Sequence, residues 1–152
     1  MVKVFETEAL QFFKLEEMDL LKDSCSIPLF YSGASCGFPN PADDYIQERI
    51  DISEYLVPNP LSTFFVRAKG NSMEGSRIFD SSLLIVDRSI TPASGSICLC
   101  ILEREFTVKK LERRGGEIYL VATNRQYQVI KVTTEMDFEV WGVITNVVSK
   151  PE

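Results

Sequence analysis

The first chemically suggestive feature of the sequence is a serine in a short loop bounded by glycines. Ser72 lies between Gly70 and Gly75, directly after a segment that is predicted to be a strand. The glycines permit a tight turn that would present the serine hydroxyl and leave backbone N–H groups available to stabilise an oxyanion. Ordinary turns have the same composition, so this loop alone does not identify a nucleophile.

The second feature is a pair of lysines within a β-patterned segment, residues 105–111. Lysines on strands are usually solvated. A buried lysine, however, loses its charge because desolvation disfavours the ammonium form, and the neutral amine can accept the proton of a serine hydroxyl. Alternation does not decide which lysine points inward, because Lys110 shares a face with Val108 and Lys109 shares the other with Thr107.

The absence of histidine restricts the chemistry further. It excludes a Ser-His-Asp triad, a Cys-His dyad and any histidine-ligated metal site, so a hydrolase would need a lysine, a carboxylate or the α-amino group as its base. Cys98 and Cys100 form a C-x-C pair in an apolar run and are interpreted as small buried side chains, since zinc sites favour other spacings. We therefore expect no metal and no cofactor.

The third feature is a stretch of small residues, glycine and proline at positions 32–41. It lacks hydrophobic periodicity and is typical of an exposed linker. Its small residues would let an extended backbone enter a narrow cleft, with Gly37 permitting close approach. The stretch is therefore both a connector and a candidate cleavage site.

The remaining sequence must supply elements that position these residues. Residues 5–22 favour a weak amphipathic helix, or an arm that orders only by docking, and Asn40-Pro41 favours the start of a helix that continues through Arg49. Asp51 to Leu56 predicts a second short helical turn. From Thr63 onward the pattern predicts β-strands at 64–66, 83–87, 97–102, 105–111, 118–122 and 138–148, with a hairpin turn at 114–117. The expected fold is mainly β, a compact sandwich or barrel-like core.

Size and charge bound the class of protein. The 152 residues suit one domain with a short appendage, and a net charge of −6 disfavours autonomous binding to nucleic acid. The sequence has neither an apolar run long enough to span a membrane nor the pattern of a signal peptide. We therefore expect a cytoplasmic protein without membrane association.

Four motifs, in this order, resemble the UmuD branch of the LexA/UmuD family of self-cleaving serine/lysine peptidases. They are Cys-Gly-Phe-Pro at 36–39, Gly-Asn-Ser-Met at 70–73, Leu-Leu-Ile-Val-Asp at 83–87 and Glu-Phe-Thr-Val-Lys-Lys-Leu at 105–111. The resemblance extends from Cys36 to Val148. One departure is Asp80-Ser81-Ser82, where the family commonly has Asp-Gly-Asp, which allows a different turn shape.

The resemblance implies a role for each candidate residue. Ser72 would be the nucleophile, Lys109 the general base, the N–H groups of Ser72 and Met73 the oxyanion donors, and Cys36–Gly37 the scissile bond. Residues 1–36 would form an N-terminal arm that self-cleavage removes, and residues 37–152 a β-rich peptidase core and dimerisation domain.

The resemblance also implies partners. In the SOS response of this family, a RecA filament on single-stranded DNA stimulates the cut. The shortened homodimer then serves as an accessory subunit of an error-prone translesion DNA polymerase of the UmuC type, in the Y family. Direct sequence-specific DNA binding is not expected.

Three alternatives remain at this point. A LexA-type transcriptional repressor needs a helix-turn-helix domain ahead of the cleavage site, and the segment before Cys36 is short for one. A non-catalytic interaction module could keep the fold without the cut. A signal-peptidase-like enzyme shares the serine/lysine chemistry but requires a membrane anchor.

Overall fold

The structure is a computed structural model that describes residues 11–14, 26–30 and 46–151, which fall into two units. The larger unit contains 11–14 and the residues from Asn59 onward, and the smaller contains 26–30 and 46–58. The strands in chain order are β1 (Gln11–Lys14), β2 (Ser26–Phe30), β3 (Ile46–Asp51), β4 (Thr63–Arg67), β5 (Leu83–Asp87), β6 (Ile97–Leu102), β7 (Glu105–Arg114), β8 (Glu117–Val121), β9 (Ile130–Lys131) and β10 (Phe138–Val148). A short helix, α1, spans Ile52–Leu56, and a 3-10 turn spans Glu74–Ser76.

The larger unit is built on one antiparallel sheet with strand order β1-β4-β5-β10-β6-β7-β8-β9. The prediction of a mainly β core is confirmed, and the predicted strands at 83–87, 97–102 and 138–148 have the bounds that the sequence pattern gave them. The sheet is covered by apolar side chains on both faces. Along β6, Leu99 belongs to one buried cluster, whereas Cys98 and Cys100 belong to the other.

The two β6 cysteines are completely buried and are not oxidised to a disulfide. Successive residues of a strand point to opposite faces, so Cys98 and Cys100 share a face, where Leu111 and Leu120 pack with them. The prediction that they are small buried side chains is confirmed.

Asp87, at the end of β5, forms hydrogen bonds with the turn that precedes β4. Its carboxylate is 1% exposed and accepts hydrogen bonds from Asn59 Nδ2 (2.9 Å), Ser62 Oγ (2.8 Å) and both the backbone N (2.8 Å) and Oγ (2.7 Å) of Ser89. Burial alone would raise the pKa of Asp87, but these donors favour the charged form and lower it to about 2. The carboxylate therefore stays ionised, and its bonds fix the position of the β4–β5 hairpin.

The smaller unit is an antiparallel hairpin of β2 and β3 followed by α1. The Asp51 side chain caps α1 by accepting from the backbone N of Ser53 at 2.8 Å. The predicted short helical turn from Asp51 to Leu56 is confirmed. In the part of the chain that the structure describes, no helix has the length and apolar character needed to cross a membrane.

Two helix predictions are wrong over the residues that the structure describes, whereas the alternative given for residues 5–22, an arm that orders by docking, agrees with the pairing of β1 with β4. Residues 11–14 form β1, which pairs with β4, and residues 46–51 form β3 rather than the continuation of a helix from Asn40. Ile46 and Ile50 are four residues apart, a spacing that fits one face of a helix and equally one face of a strand. Pairing with a neighbouring strand decides between the two. The rest of the predicted arm helix, and the linker at 32–41, lie outside the described residues.

The turn before β5 keeps a glycine-like backbone although the sequence has Ser81. Ser81 has φ of +66°, in the left-handed region that glycine adopts readily. Its N–H donates to Ala68 O at 2.8 Å, and Asp80 Oδ1 accepts from Gly70 N at 2.7 Å. The departure from Asp-Gly-Asp therefore leaves the turn in place, at the cost of a strained residue.

Replacing Ser81 by glycine should stabilise the protein. The substitution Ser81→Gly removes a left-handed strain of about 1 kcal/mol, and the side chain gives up only a long 3.3 Å contact with Asp80. Urea unfolding followed by the fluorescence of Trp141, the one tryptophan in the chain, measures the change. The matched control is Ser94→Gly, also in the larger unit, where φ is not positive and the same substitution should destabilise. Equal effects at both positions would contradict the assignment of strain to Ser81.

Candidate active site

The Ser72 loop, residues 68–78, connects the end of β4 to the turn that leads into β5. Gly70 has φ of +88° and donates its N–H to Asp80 Oδ1, which reverses the chain just before Ser72. Met73, the next residue, is 2% exposed and packs in the same buried cluster as Ile78. The half-buried Ser72 is thus held between a fixed turn and a side chain anchored in the core.

The same loop is pressed against the segment that follows β8. A Cβ on Gly75 would collide with the backbone O of Thr123, so only glycine fits there. Thr123 Oγ1 also accepts from the backbone N of Ser76 at 3.1 Å. The second glycine of the Ser72 motif therefore serves a close approach between two backbones.

Lys109 enters the site from β7, on the face that it shares with Thr107. Its side chain is buried, with 8% of the residue exposed. Its Nζ lies 3.3 Å from Ser72 Oγ, 3.0 Å from Thr107 Oγ1 and 3.0 Å from Val108 O. The structure thus brings together Ser72 and Lys109, which are separated by 37 positions in the sequence.

The neighbouring lysine has a different environment. Lys110 is partly exposed and forms a 3.2 Å ion pair with Glu112 on the same strand. The choice between the two lysines, which the alternation left open, is therefore decided by the structure in favour of Lys109 as the buried amine.

Burial lowers the pKa of Lys109 below its ordinary value of 10.5. No carboxylate among the described residues forms an ion pair with this amine. The nearby thiol of Cys100 does not replace one, because burial raises its pKa to about 12 and keeps it uncharged at neutral pH. The surroundings of Lys109 therefore favour the neutral amine.

The three polar contacts of Lys109 match the bonding capacity of a neutral amine. Such an amine has two N–H groups and one lone pair. Val108 O can only accept, and Thr107 Oγ1 can accept the second N–H. The lone pair then faces Ser72 Oγ, whose hydroxyl can donate to it. This arrangement can transfer the serine proton to the amine.

An open cleft of about 180 Å³ gives access to both side chains. Lys69, Asn71, Thr107 and Tyr127 line it together with Ser72 and Lys109. Within the residues that the structure describes, the N–H groups of Ser72 and Met73 donate to no protein acceptor. Both N–H groups therefore remain available to a ligand oxygen.

One sequence prediction, the position of the scissile bond, falls outside the described structure. Cys36 and Gly37 lie outside the described residues, so the position of the predicted scissile bond is not given. Among the residues that are described, no three or more cysteine, aspartate or glutamate side chains cluster in a way that could hold a metal ion.

Three residues near the site received no functional role from the sequence. Thr107 was placed on the correct face but not connected to the amine. Asn124 donates from its side chain to Asn71 O at 3.1 Å, and Tyr127 donates to Asn71 Oδ1 at 2.6 Å. The run from Thr123 to Tyr127 has the composition of an ordinary turn, and no local signal connects it to a loop some fifty residues earlier.

Comparison with known proteins gives a consistent result. The model of the family described as Peptidase S24-like matches residues 28–145. Protein MucA of Salmonella typhimurium is 39% identical over 122 residues, which are 80% of this chain and 83% of MucA. Protein SamA of Salmonella typhimurium is 35% identical over 123 residues, 81% of this chain and 85% of SamA.

A third relative is a repressor. The LexA repressor of Dechloromonas aromatica is 34% identical over 129 residues, 84% of this chain and 63% of the repressor. Since the family model covers most of the chain, including the Ser72 loop and β7, this chain belongs to the Peptidase S24-like family.

Proposed function

We propose that this protein is a self-cleaving serine endopeptidase that cuts its own Cys36–Gly37 bond with Ser72 as nucleophile and Lys109 as general base. The observation that carries the proposal is the buried Lys109 Nζ, 3.3 Å from Ser72 Oγ, with only neutral partners around it. Membership of a peptidase family supports the same conclusion.

The reaction proceeds through an ester intermediate. Ser72 Oγ attacks the carbonyl carbon of Cys36 while its proton passes to Lys109 Nζ, and the N–H groups of Ser72 and Met73 stabilise the oxyanion. The intermediate collapses, the bond to Gly37 breaks, and Lys109 returns the proton to the departing amine. Water, deprotonated by Lys109, then hydrolyses the ester at Cys36 and releases residues 1–36.

Thr107 and Val108 orient the base in this scheme. Each accepts a hydrogen bond from Lys109 Nζ at 3.0 Å, which leaves the lone pair directed at Ser72. When the amine becomes an ammonium ion during the attack, the same two oxygens stabilise its charge. The base is therefore held in one geometry in both protonation states.

The biological setting that we infer is the SOS response in the cytoplasm. A RecA filament on single-stranded DNA would favour the pose in which Cys36–Gly37 occupies the cleft, which is a population shift and not new chemistry. The shortened homodimer would then act as an accessory subunit of an error-prone polymerase of the UmuC type. The match covers 83% of MucA and 85% of SamA but 63% of the LexA repressor, which supports this placement over that of a repressor.

The cut would also alter the sheet. β1 lies within the segment that would be released, and it pairs with β4 in the register Gln11↔Arg67 to Lys14↔Phe64. Loss of β1 would leave β4 at the edge of the sheet with unpaired backbone groups, which suits it for pairing with another chain.

Alkaline incubation of the purified full-length chain, without other proteins, tests the catalytic proposal. The chain should shorten to a fragment beginning at Gly37, identified by intact mass, at a rate that rises with pH. The rate should level off below 10.5, because burial lowers the pKa of Lys109 from that value. Ser72→Ala and Lys109→Ala should slow cleavage by at least about 10³-fold.

The matched control for this experiment is Lys110→Ala. Lys110 neighbours the proposed base but is partly exposed and paired with Glu112, so its loss should leave the rate unchanged. No shortening of the wild-type chain would favour a non-catalytic scaffold. Cleavage of Lys109→Ala at the wild-type rate would remove Lys109 from the mechanism.

A stability measurement tests the burial of Lys109 independently of cleavage. We compare Ser72→Ala with Ser72→Ala/Lys109→Met, because neither variant can cut itself. Below the lowered pKa, the folded state must bury an ammonium ion, and this penalty disappears as the pH approaches 10.5, where the unfolded lysine also loses its proton. The advantage of the methionine variant in free energy of unfolding should therefore be largest at neutral pH and shrink as the pH rises.

Urea unfolding followed by Trp141 fluorescence, from neutral pH to about pH 10, measures this difference. Burial of the two β6 cysteines is common to both variants, so the part of their pH dependence that comes from desolvation cancels in the comparison. A difference that stays constant over this range would contradict a shifted pKa at Lys109.

Hydrogen exchange tests the consequence of the cut for the sheet. After cleavage and removal of the released peptide, backbone amides of β4 should exchange faster than in uncut Ser72→Ala protein, because β1 no longer covers that edge. Amides of β6, which lies between β10 and β7, should be unchanged and serve as the internal reference. Unchanged exchange in β4 would contradict a covering role for β1.

A further inference from the structure

Asn124 lies in the segment that follows β8 and contacts two consecutive carbonyl groups of the Ser72 loop. Its side-chain Nδ2 donates to Asn71 O at 3.1 Å, and its backbone N donates to Ser72 O at 3.0 Å. One residue therefore binds the carbonyl before the nucleophile and the carbonyl of the nucleophile itself.

Because the peptide bond is planar, fixing these two carbonyls also fixes the directions of the N–H groups in the same peptide units. The carbonyl of Asn71 belongs to the same peptide unit as the N–H of Ser72, and the carbonyl of Ser72 to the same unit as the N–H of Met73. In a trans peptide the C=O and N–H point in opposite directions, and the described chain contains no cis bond. Two carbonyls fixed toward Asn124 thus direct both N–H groups away from it.

These are the two N–H groups proposed above as oxyanion donors. Neither has an acceptor among the described protein atoms, and both residues line the cleft that contains Lys109. A backbone N–H that makes no protein hydrogen bond while its carbonyl is fixed is arranged to receive a ligand oxygen.

The Asn124 side chain is itself held in the orientation that this requires. Its Oδ1 accepts from the backbone N of Gln126 at 3.0 Å, which places the NH₂ group on the side of Asn71. Tyr127 closes the arrangement by donating its hydroxyl to Asn71 Oδ1 at 2.6 Å. Both ends of the Asn124 amide are therefore bonded, as are the backbone carbonyl and the Oδ1 of Asn71.

We propose that Asn124 is a positioning residue that aims the oxyanion donors Ser72 N–H and Met73 N–H into the cleft, with Tyr127 fixing Asn71 in support. This inference rests on the proposed self-cleavage. It assigns to the turn after β8 a function in the reaction, although none of its side chains needs to touch the scissile bond.

The test is the pH dependence of self-cleavage in the full-length chain. Asn124→Ala should lower the alkaline plateau rate by about 10- to 100-fold, since loss of a complete oxyanion donor costs 10²–10³ in other serine proteases. Here one donor, the Ser72 N–H, is misdirected and not removed, because the substitution releases Asn71 O but keeps the backbone bond to Ser72 O. The pH midpoint should stay at its wild-type value, because Asn124 makes no hydrogen bond to Lys109. Tyr127→Phe should lower the plateau by about 3- to 10-fold with the same midpoint.

A second variant distinguishes the hydrogen bond from Asn124 to Asn71 O from the hydrogen bond by which Asn124 stabilises its own turn. Asn124→Asp keeps the size of the side chain and the oxygen that accepts from Gln126, but it cannot donate to Asn71 O. Recovery of the plateau rate in Asn124→Asp would mean that only the turn matters, and would overturn the proposal. A plateau as low as that of Asn124→Ala supports it.

Asn59→Ala controls for general loss of stability. It removes another side-chain amide from a hydrogen bond, in this case to Asp87, and neither residue belongs to the Ser72 loop. Its plateau should equal that of the wild type, and a comparable loss would overturn the proposal. If Asn124→Ala does not fold, as judged by Trp141 fluorescence, Tyr127→Phe decides, because it removes only one exposed hydroxyl.

The outcomes distinguish this inference from the function on which it rests. A wild-type chain that cleaves, together with Asn124→Ala and Tyr127→Phe plateaus equal to the wild-type plateau, overturns the positioning role alone. A midpoint shift that accounts for the whole effect in Asn124→Ala also overturns it, because the residue would then act through Lys109. A wild-type chain that never shortens overturns both.

Discussion

The structure depends on keeping one amine out of water without giving it a counter-ion. Lys109 is buried, its three polar neighbours are a hydroxyl, a second hydroxyl and a carbonyl, and no carboxylate of the described residues pairs with it. A carboxylate at that position would stabilise the ammonium form and raise its pKa. Neutral partners do the opposite, and they make a lysine suitable as a base in a chain that contains no histidine.

Ser72 and Lys109 come together although the strand before Ser72 and the strand of Lys109 are not neighbours in the sheet. β4, which leads into the Ser72 loop, and β7, which carries Lys109, are separated by β5, β10 and β6. The loop reaches β7 because Met73 and Ile78 pack in the same buried cluster as Leu99 and Val108. Burial of a side chain such as Met73 contributes about 2 kcal/mol to the stability of the fold. The packing that stabilises the core therefore also positions Ser72 beside Lys109.

Sequence reasoning succeeded where the signal was local and unambiguous. Strands such as 83–87 were recognisable because an apolar run ended at turn residues, whereas Ile46 and Ile50 fitted helix and strand alike, and only pairing with β2 decided between them. For the site, the resemblance supplied Ser72 and Lys109, but alternation could not choose between the lysines because both faces of the sheet carry buried clusters. Asn124 was not recognisable, because its contact with Asn71 joins residues 53 positions apart and its own surroundings are typical of a turn.

The two cysteines of β6 are compatible with the requirement for uncharged neighbours that governs Lys109. Cys98 is the register partner of Lys109, and Cys100 that of Thr107, so the strand beside the base presents two thiols on the face of the amine. A carboxylate there would charge the lysine. Burial raises the pKa of Cys98 to about 11 and that of Cys100 to about 12, which keeps both thiols neutral at neutral pH. A thiol thus fills the space beside the base and, at neutral pH, stabilises the protonated form of Lys109 less than a carboxylate would.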